Sequence, residues 1–383
     1  MEFELPEELA EVQKLARDFA DKEIAPSAAK DDREHIFRKD LVIKMGELGF
    51  YGCLIPEEYG GNGLGFLAYA MISEEIARAH SAIRVYLNMQ AGPSVTLYEF
   101  GNEEQKKKYL PGLLSGESIG LFAITEPDAG SDVAAMKTIA RRNGNHYRLN
   151  GSKIWITNAT VADAGIVFAY TDRSKKHHGM SAFYVDLNQS GVSRRELDKL
   201  GAHASPTGEL TFDNFEIPEE NLVGQEGDGF KICMRHLSHT RLGCAAGALG
   251  VARAAREAAV SYANQREQFG QKIGQFQMNQ DLIAQMVVQE EAARLLVYRA
   301  ACLADRGKPN NLETSIAKYT AAEAAAFTAD AALKIFGAYG YSTEFPVERY
   351  YRDAKSYQIV EGSSNIQKLI IAYDALGYKK ANR

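Results

Sequence analysis

The chain lacks several features on which common functions depend. Its 44 Lys+Arg are outnumbered by 50 Asp+Glu, for a formal net charge of -6, so no basic stripe is present for a phosphate backbone. The one short basic cluster, RSKKHH at 173–178, reads as a loop tip. No uninterrupted apolar run is long enough to span a bilayer, and the start, MEFELPEELAEV, is acidic and helical where a secretory signal would be basic and then apolar. These absences predict a cytoplasmic protein with neither nucleic acid nor membrane as partner. Cysteine is scarce: Cys53, Cys233, Cys244 and Cys302 are scattered among small or apolar neighbours without a C-x-x-C pair, as buried free thiols are. No disulfide framework follows. His236 and His239 in HLSH have a spacing that could hold a metal, but no further His or Glu motif accompanies them, so no metal site is expected.

What is present falls into three textures. Up to about residue 115 the apolar period is helical, beginning with a stripe of Leu9, Val12, Leu15, Ala16 and Phe19 that Pro26 ends. The glycines of YGGNGLGF, 59–66, follow no predicted strand and read as a surface turn. From about residue 120 short alternating runs take over: HYRLNGSKIWIT, with Asn150-Gly151 as a hairpin signal, then AGIVFAY, SAFYVDL and ELTFDNFEI. From about residue 230 long alanine-rich helices return, implying close backbone approach in a packed bundle. The predicted fold class is α+β, with an N-terminal helical domain (1–118), a central β-barrel or sandwich (119–229) and a C-terminal four-helix bundle (230–383). The site is expected where these meet.

Four segments carry more polar and glycine punctuation than their local structure requires. In LFAITEPDAGSD, 121–132, Thr125, Gly130 and Ser131 could line a phosphate-bearing ligand, although an ordinary turn explains them equally. In KIWITNA, Trp155 and Thr157 fall on one strand face and could pack against a planar heterocycle; a core tryptophan is the ordinary alternative. In NQREQFGQKIGQFQMNQ, Arg266 and Gln268 interrupt a helical connection beside Phe269, where an arginine can bind phosphate or simply face solvent. In YQIVEGSSNIQKLIIA, 357–372, Glu361 stands between the apolar Ile359-Val360 pair and a Gly-Ser-Ser turn. Ser364 and Gln367 there match a capping box. A lone glutamate in such a place is ordinarily a helix-end charge.

In this order ITEPDAGSD, GSKIWITNA, HTRLGCAAGALGVA, REQFGQKIGQFQ and YRDAKSYQIVEGSSNIQKLII resemble the signatures of the acyl-CoA dehydrogenase family along essentially the whole chain. The resemblance implies the same three-domain fold, FAD as cofactor, a homotetramer and an electron-transferring flavoprotein as acceptor. It implies that Thr125 and Thr157 hydrogen-bond the flavin ring, that Trp155 packs beside it with Phe122 and Ile124 of the neighbouring segment, and that Gly130 and Ser131 serve flavin phosphate or the bound thioester. Arg266 and Phe269 match positions contacting the FAD of a neighbouring subunit, with Gln268 where many relatives carry Thr or Ser. Gly337 falls in the turn for the adenosine half, although Lys334 and Ala338 depart from the usual Gln and Gly. Ser363 and Asn365 match residues near the adenine-diphosphate portion, and Ser238, Thr240, Arg241 and Gly362 match the CoA-contacting residues.

By the same resemblance Glu361 abstracts the α-proton of an acyl-CoA while hydride leaves the β-carbon for the flavin. Some subfamilies place the base on the bundle helix, where this chain has Thr240, which cannot serve. Ile359 and Val360 are expected to keep the base dry. The stretch EEIARAHSAIRVYLNMQ, 74–90, resembles the glutaryl-CoA dehydrogenase branch, in which the position of Arg84 binds the substrate's distal carboxylate; Tyr86, Asn88 and Ala91 are candidates for shaping the acyl pocket. Decarboxylating members usually carry Tyr and Glu where this chain has Val360 and Ala77. The expectation is therefore glutaryl-CoA oxidation to glutaconyl-CoA without decarboxylation, with an alicyclic cyclohexane- or cyclohexene-carboxyl-CoA of anaerobic aromatic degradation as the alternative. An acyl-CoA oxidase and a non-enzymatic CoA-binding scaffold are the other classes to be separated.

Overall fold

A computed structural model describes residues 5–378. The N-terminal helices are α1 (Glu7–Phe19), α2 (Ala28–Arg33), α3 (Lys39–Glu47), α4 (Gly65–Ala79), α5 (Ser81–Phe100) and α6 (Glu103–Ser115). The apolar stripe of α1 is narrower than its spacing suggests: Ala16 and Phe19 are buried, Leu9 and Val12 pack partly against the core, and Leu15 faces out. α4 and α5 are buried on nearly every side, because α4 packs against α1, α7 (Gly229–Gln265) and α8 (Gln277–Asp305) while α5 lies along α7. α6 starts at a capping box between Asn102 and Gln105 and stops at left-handed Gly116.

The middle region holds β1 (Gly120–Ala123), β2 (Ile139–Asn143), β3 (His146–Thr157), β4 (Ala164–Tyr170), β5 (Met180–Asp186), β6 (Val192–Glu196), β7 (Thr207–Pro218) and β8 (Leu222–Val223). They run in the order β6-β7-β3-β2-β4-β5-β8, with β1 added parallel to β4. β2 meets β4 through a single residue pair, Ile139 with Tyr170, so the sheet bends there into two halves. Tyr147 of β3 packs its ring 4.9 Å from Phe183 of β5 across them, as in a sandwich.

The hairpin signal was misplaced by sequence. The β2–β3 turn is Gly144-Asn145, between paired Asn143 and His146. Asn150-Gly151 lies inside β3, where the register against β7 shifts between Leu149 and Gly151. Gly151 has φ +144°, and a Cβ there would lie 2.7 Å from the Thr138 Cα, so the glycine serves a bulge with close backbone approach rather than a turn.

The C-terminal part contains α7, α8, α9 (Asn311–Phe336), α10 (Val347–Tyr357) and α11 (Ser364–Ala375). α10 is a helix beyond the four expected. The close approach implied by small residues is present: a Cβ on Gly250 would lie 2.3 Å from the Glu74 carbonyl oxygen of α4. Buried Glu74 and Glu75 accept from Arg294 at 3.2 Å and from Arg253 at 2.8 Å, tying α4 to α8 and α7. α4 of the N-terminal region therefore packs directly against the bundle. Among the described residues no helix is long and apolar enough to cross a membrane.

Candidate active site

Glu361 lies in the connection from α10 to α11. Its φ is +56°, in the left-handed region that a residue with a Cβ occupies at a cost, and Gly362 follows at +85°. Side chains from three helices hold this backbone. Lys318 of α9 donates to the carbonyls of Tyr357 at 2.7 Å and Gly362 at 2.8 Å. Gln367 of α11 donates to Gly362 O at 2.8 Å, and Arg241 of α7 donates through Nε to Glu361 O at 3.2 Å. Glu323 of α9 accepts from Gln358 at 2.9 Å and from Ser364 at 2.7 Å, one on each side of Glu361.

The expected capping box is thereby corrected. The N-cap of α11 is Ser363, whose hydroxyl accepts from Ile366 N, while Ser364 is drawn to Glu323 and Gln367 turns back to the loop carbonyls. The turn is held tightly, but by tertiary rather than local bonds.

Both carboxylate oxygens of Glu361 are engaged. The Thr240 hydroxyl donates to Oε2 at 2.7 Å and the Asn88 amide donates to Oε1 at 3.3 Å. Tyr69 OH donates to Asn88 Oδ1 at 2.6 Å, which fixes the amide with its NH2 toward Glu361. α5 and α7 run past each other here with matched glycines. A Cβ on Gly243 would lie 2.8 Å from Asn88 Oδ1, one on Gly247 2.7 Å from Arg84 Nε, and one on Gly92 2.7 Å from His236 Cε1. Absent side chains thus make room for the polar ones.

Arg84 is one helical turn from Asn88 and only 3% exposed. Its Nε and Nη1 are buried without a hydrogen-bond partner, and its guanidinium carbon lies 5.4 Å from the Tyr357 ring centre. An arginine fully withdrawn from water without a carboxylate is costly and points to an anion supplied from outside. His236 binds Thr96 at 2.9 Å and stacks on Phe122 with ring centres 3.5 Å apart. Burial pulls its pKa down to about 3 and keeps it neutral. Burial likewise lowers Lys318 and Arg241 from their ordinary values. His236 and His239 have separate partners, His239 binding Glu99 at 3.0 Å, and no metal-holding cluster occurs among the described residues.

Phe122 joins this cluster to the β region. Ile154 N donates to Thr125 O at 2.9 Å, and buried Lys153 donates to Ile124 O at 3.2 Å and Glu126 at 2.7 Å, so the segment of Phe122, Ile124 and Thr125 is fixed beside Trp155 and Thr157. Burial draws Lys153 down to about 8, against the pull of Glu126. Trp155 has φ +61° at a second bulge in β3, so strict strand alternation does not relate it to Thr157. It is also not a core residue, being 57% exposed. Gly130 and Ser131 lie exposed just past the turn that pairs Glu126 with Ala129.

The remaining candidates lie elsewhere. Arg266, Gln268 and Phe269 belong to the ribbon after α7, Arg266 lying over the Tyr339 ring at 5.4 Å and so beside the Gly337 turn. Phe269 is 94% exposed. Ser238 sits three residues before Arg241 on α7 and bonds back to Met234 O at 2.9 Å; Asn365 is exposed in the first turn of α11. Ile359 and Val360 do not shield Glu361 within the chain, being 61% and 42% exposed: they point outward because Glu361 takes the left-handed turn inward. Sequence reasoning missed Lys318 and Tyr69, whose residue types carried no signal.

An exposed indole beside two threonines and unobstructed Gly130 suits a flat ring with a phosphate tail, and the neighbouring carboxylate suits proton transfer next to it. Comparison with known proteins agrees. The acyl-CoA dehydrogenase N-terminal, middle and C-terminal domain families match residues 6–117, 121–215 and 227–376. A glutaryl-CoA dehydrogenase of Desulfococcus multivorans is 53% identical over 389 residues, covering 100% of both chains. A solved structure described as a glutaryl-coenzyme A dehydrogenase glutaryl-CoA complex superposes with TM-score 0.97 at 52% identity, covering 100% of this chain and 98% of that one. Another, from work on the electron transferring flavoprotein of Acidaminococcus fermentans, gives 0.96 at 43%, covering 98% and 100%. The chain belongs to the acyl-CoA dehydrogenase family and is an FAD-dependent oxidoreductase.

Proposed function

We propose that the protein oxidises a short dicarboxylic acyl-CoA, glutaryl-CoA to glutaconyl-CoA, without decarboxylation. The observation that carries this reading is Arg84, buried and unpaired one helical turn from the Asn88 amide that holds Glu361. One turn advances about 6 Å, which suits an acid whose second carboxylate lies a few carbons from the thioester. A guanidinium binds such a carboxylate through two parallel hydrogen bonds. An alicyclic carboxyl-CoA would leave Arg84 buried without its anion, which disfavours that alternative.

Glu361 takes the proton from the α-carbon. In the free protein both its oxygens accept hydrogen bonds, so Thr240 and Asn88 keep the carboxylate aimed until substrate displaces one of them. Bound FAD would supply the acceptor for the hydride leaving the β-carbon. Thr125 and Thr157 would hold the flavin ring with Trp155, Phe122 and Ile124 beside it, and Gly130 and Ser131 would leave room for the phosphates. Arg241, with Ser238 and Gly362, borders the CoA entrance, but its Nε is occupied by Glu361 O, so it also positions the base.

Ala77 and Val360 carry no ionisable group, and Ala77 is buried against Gly250, which supports release of the dicarboxylic product intact. A homotetramer is supported by outward apolar residues, Phe269 and the 93% exposed Tyr341 at one end of the bundle, where Arg266, Gln268 and Gly337 would serve the adenosine half of FAD; Ser363 and Asn365, at the start of α11 beside Glu361, would serve its diphosphate portion. An electron-transferring flavoprotein is the proposed acceptor. Incubation with glutaryl-CoA and an artificial electron acceptor, with products weighed by mass spectrometry, tests the reading: glutaconyl-CoA is expected. Crotonyl-CoA would overturn the non-decarboxylating assignment, and preference for cyclohexanecarboxyl-CoA would overturn the substrate class.

A further inference from the structure

Lys318 lies within α9 with its side chain wholly buried, and its hydrogen bonds go to two backbone carbonyls rather than to a carboxylate. The ordinary explanation would be capping of α10, since Tyr357 O belongs to the last turn of that helix and cations suit helix C-termini. Capping alone does not account for the second bond. Gly362 O lies on the far side of Glu361, so one ammonium joins the two ends of the segment that carries the carboxylate.

The segment's local backbone bonds do not themselves fix Glu361. Its own backbone bonds, from Ile359 and Val360 to Ser356 O and from Ser364 to Gln358 O, leave Glu361 itself at φ +56°. A strained dihedral persists only where the surroundings over-determine it. Among the described residues Lys318 is the one side-chain donor that reaches carbonyls on both sides of Glu361, while Gln367 and Arg241 act on the nearer pair, Glu361 O and Gly362 O.

We propose that Lys318 is the positioning residue of the base: by clasping Tyr357 O and Gly362 O it holds Glu361 in the left-handed backbone that directs its carboxylate to the acyl α-carbon. This rests on the reading of Glu361 as the base. The clasp acts on geometry and not on substrate or flavin contacts, so its loss falls on proton abstraction. A misplacement near 1 Å costs about 100-fold in rate.

The test uses the FAD-loaded enzyme, with flavin reduction by glutaryl-CoA measured anaerobically per bound flavin, for protiated and 2,2-dideuterated substrate. Lys318→Met should lower the reduction rate about 100-fold and raise the isotope effect, with KM and flavin content nearly unchanged. Lys318→Gln, which keeps a donor for one carbonyl, should recover part of the rate. Gln367→Met, which loosens the same carbonyl from α11, should shift rate and isotope effect in the same direction and decides the matter if Lys318→Met does not fold. Wild-type rates and isotope effects per bound flavin, with losses confined to thermal stability or flavin content, would overturn the proposal. Glu361→Gln in the same assay separates the two levels: if it is inactive while the Lys318 variants are normal, only the clasp fails; if it is active, the base assignment fails as well.

Discussion

Replacing Arg84 with Met tests two consequences of one burial. The guanidinium is 3% exposed, with Nε and Nη1 lacking partners, so in the free protein these two donors are buried without a hydrogen bond. Leaving a buried charge unpaired costs about 3–5 kcal/mol; the contact with Tyr357, 5.4 Å away, returns about 1–2 kcal/mol. Met fills similar length without charge, so Arg84→Met should stabilise the substrate-free enzyme by a few kcal/mol and raise Tm. Turnover should move the other way. Two charge-assisted hydrogen bonds to a distal carboxylate contribute about 1.5–3 kcal/mol each, so kcat/KM for glutaryl-CoA should fall roughly 100-fold to 10,000-fold. Butyryl-CoA, of comparable depth and without the carboxylate, should be processed at least as well as by wild type. The assay is kcat/KM for both thioesters beside a thermal melt. Equal losses on the two substrates, or retained glutaryl-CoA selectivity, would refute the reasoning.

Other outcomes follow from the same geometry. Gly247→Ala would place a Cβ 2.7 Å from Arg84 Nε and 2.8 Å from Tyr357 OH; it should displace the arginine and lower glutaryl-CoA kcat/KM about tenfold or more, with butyryl-CoA less affected. Trp155→Ala should change the flavin-free melt by less than about 1 kcal/mol, because the indole is mostly exposed, yet reduce the flavin-to-protein ratio after gel filtration. Burial pulls His80 and His236 from 6.5 to about 3, so their contribution to stability is complete above 6.5 and is lost as pH falls, by roughly 2 kcal/mol each at pH 5. Asp353 runs the opposite way: burial, then Asp32, raises it from 3.8 to about 7, so its contribution is complete below 3.8 and is lost as pH rises toward 7. Asp353→Asn should therefore increase the stability advantage of pH 7 over pH 5, read from denaturant midpoints at the two pH values.

The helix, sheet, helix order was readable because apolar period changes from helical to alternating and back, and because alanine and glycine on α7 and α9 announce close packing. α10 was passed over because it is short and polar overall: Arg349 and Asp353 are buried beside Val347, Ala354 and Tyr357, so charge dilutes its brief apolar stripe. Asn150-Gly151 misled because the same dipeptide suits a tight turn and a bulge, and only pairing with β7 separates them. At the site, Glu361 and Arg84 stood out through family signatures. The loop's support did not, since Lys318 in an alanine-rich helix reads as a solvated lysine until Tyr357 O and Gly362 O are brought onto it. Ile359 and Val360 show the converse: apolar neighbours in sequence are carried outward by a single left-handed residue.

The role of Glu361 is tested most directly by substituting it with Gln and adding glutaryl-CoA anaerobically to the FAD-loaded protein. Thr240 and Asn88 can still bond the amide, so the variant should remain folded and yellow, bind the thioester, and show no bleaching on the time scale in which wild type bleaches. Bleaching at the wild-type rate would show that another group takes the α-proton.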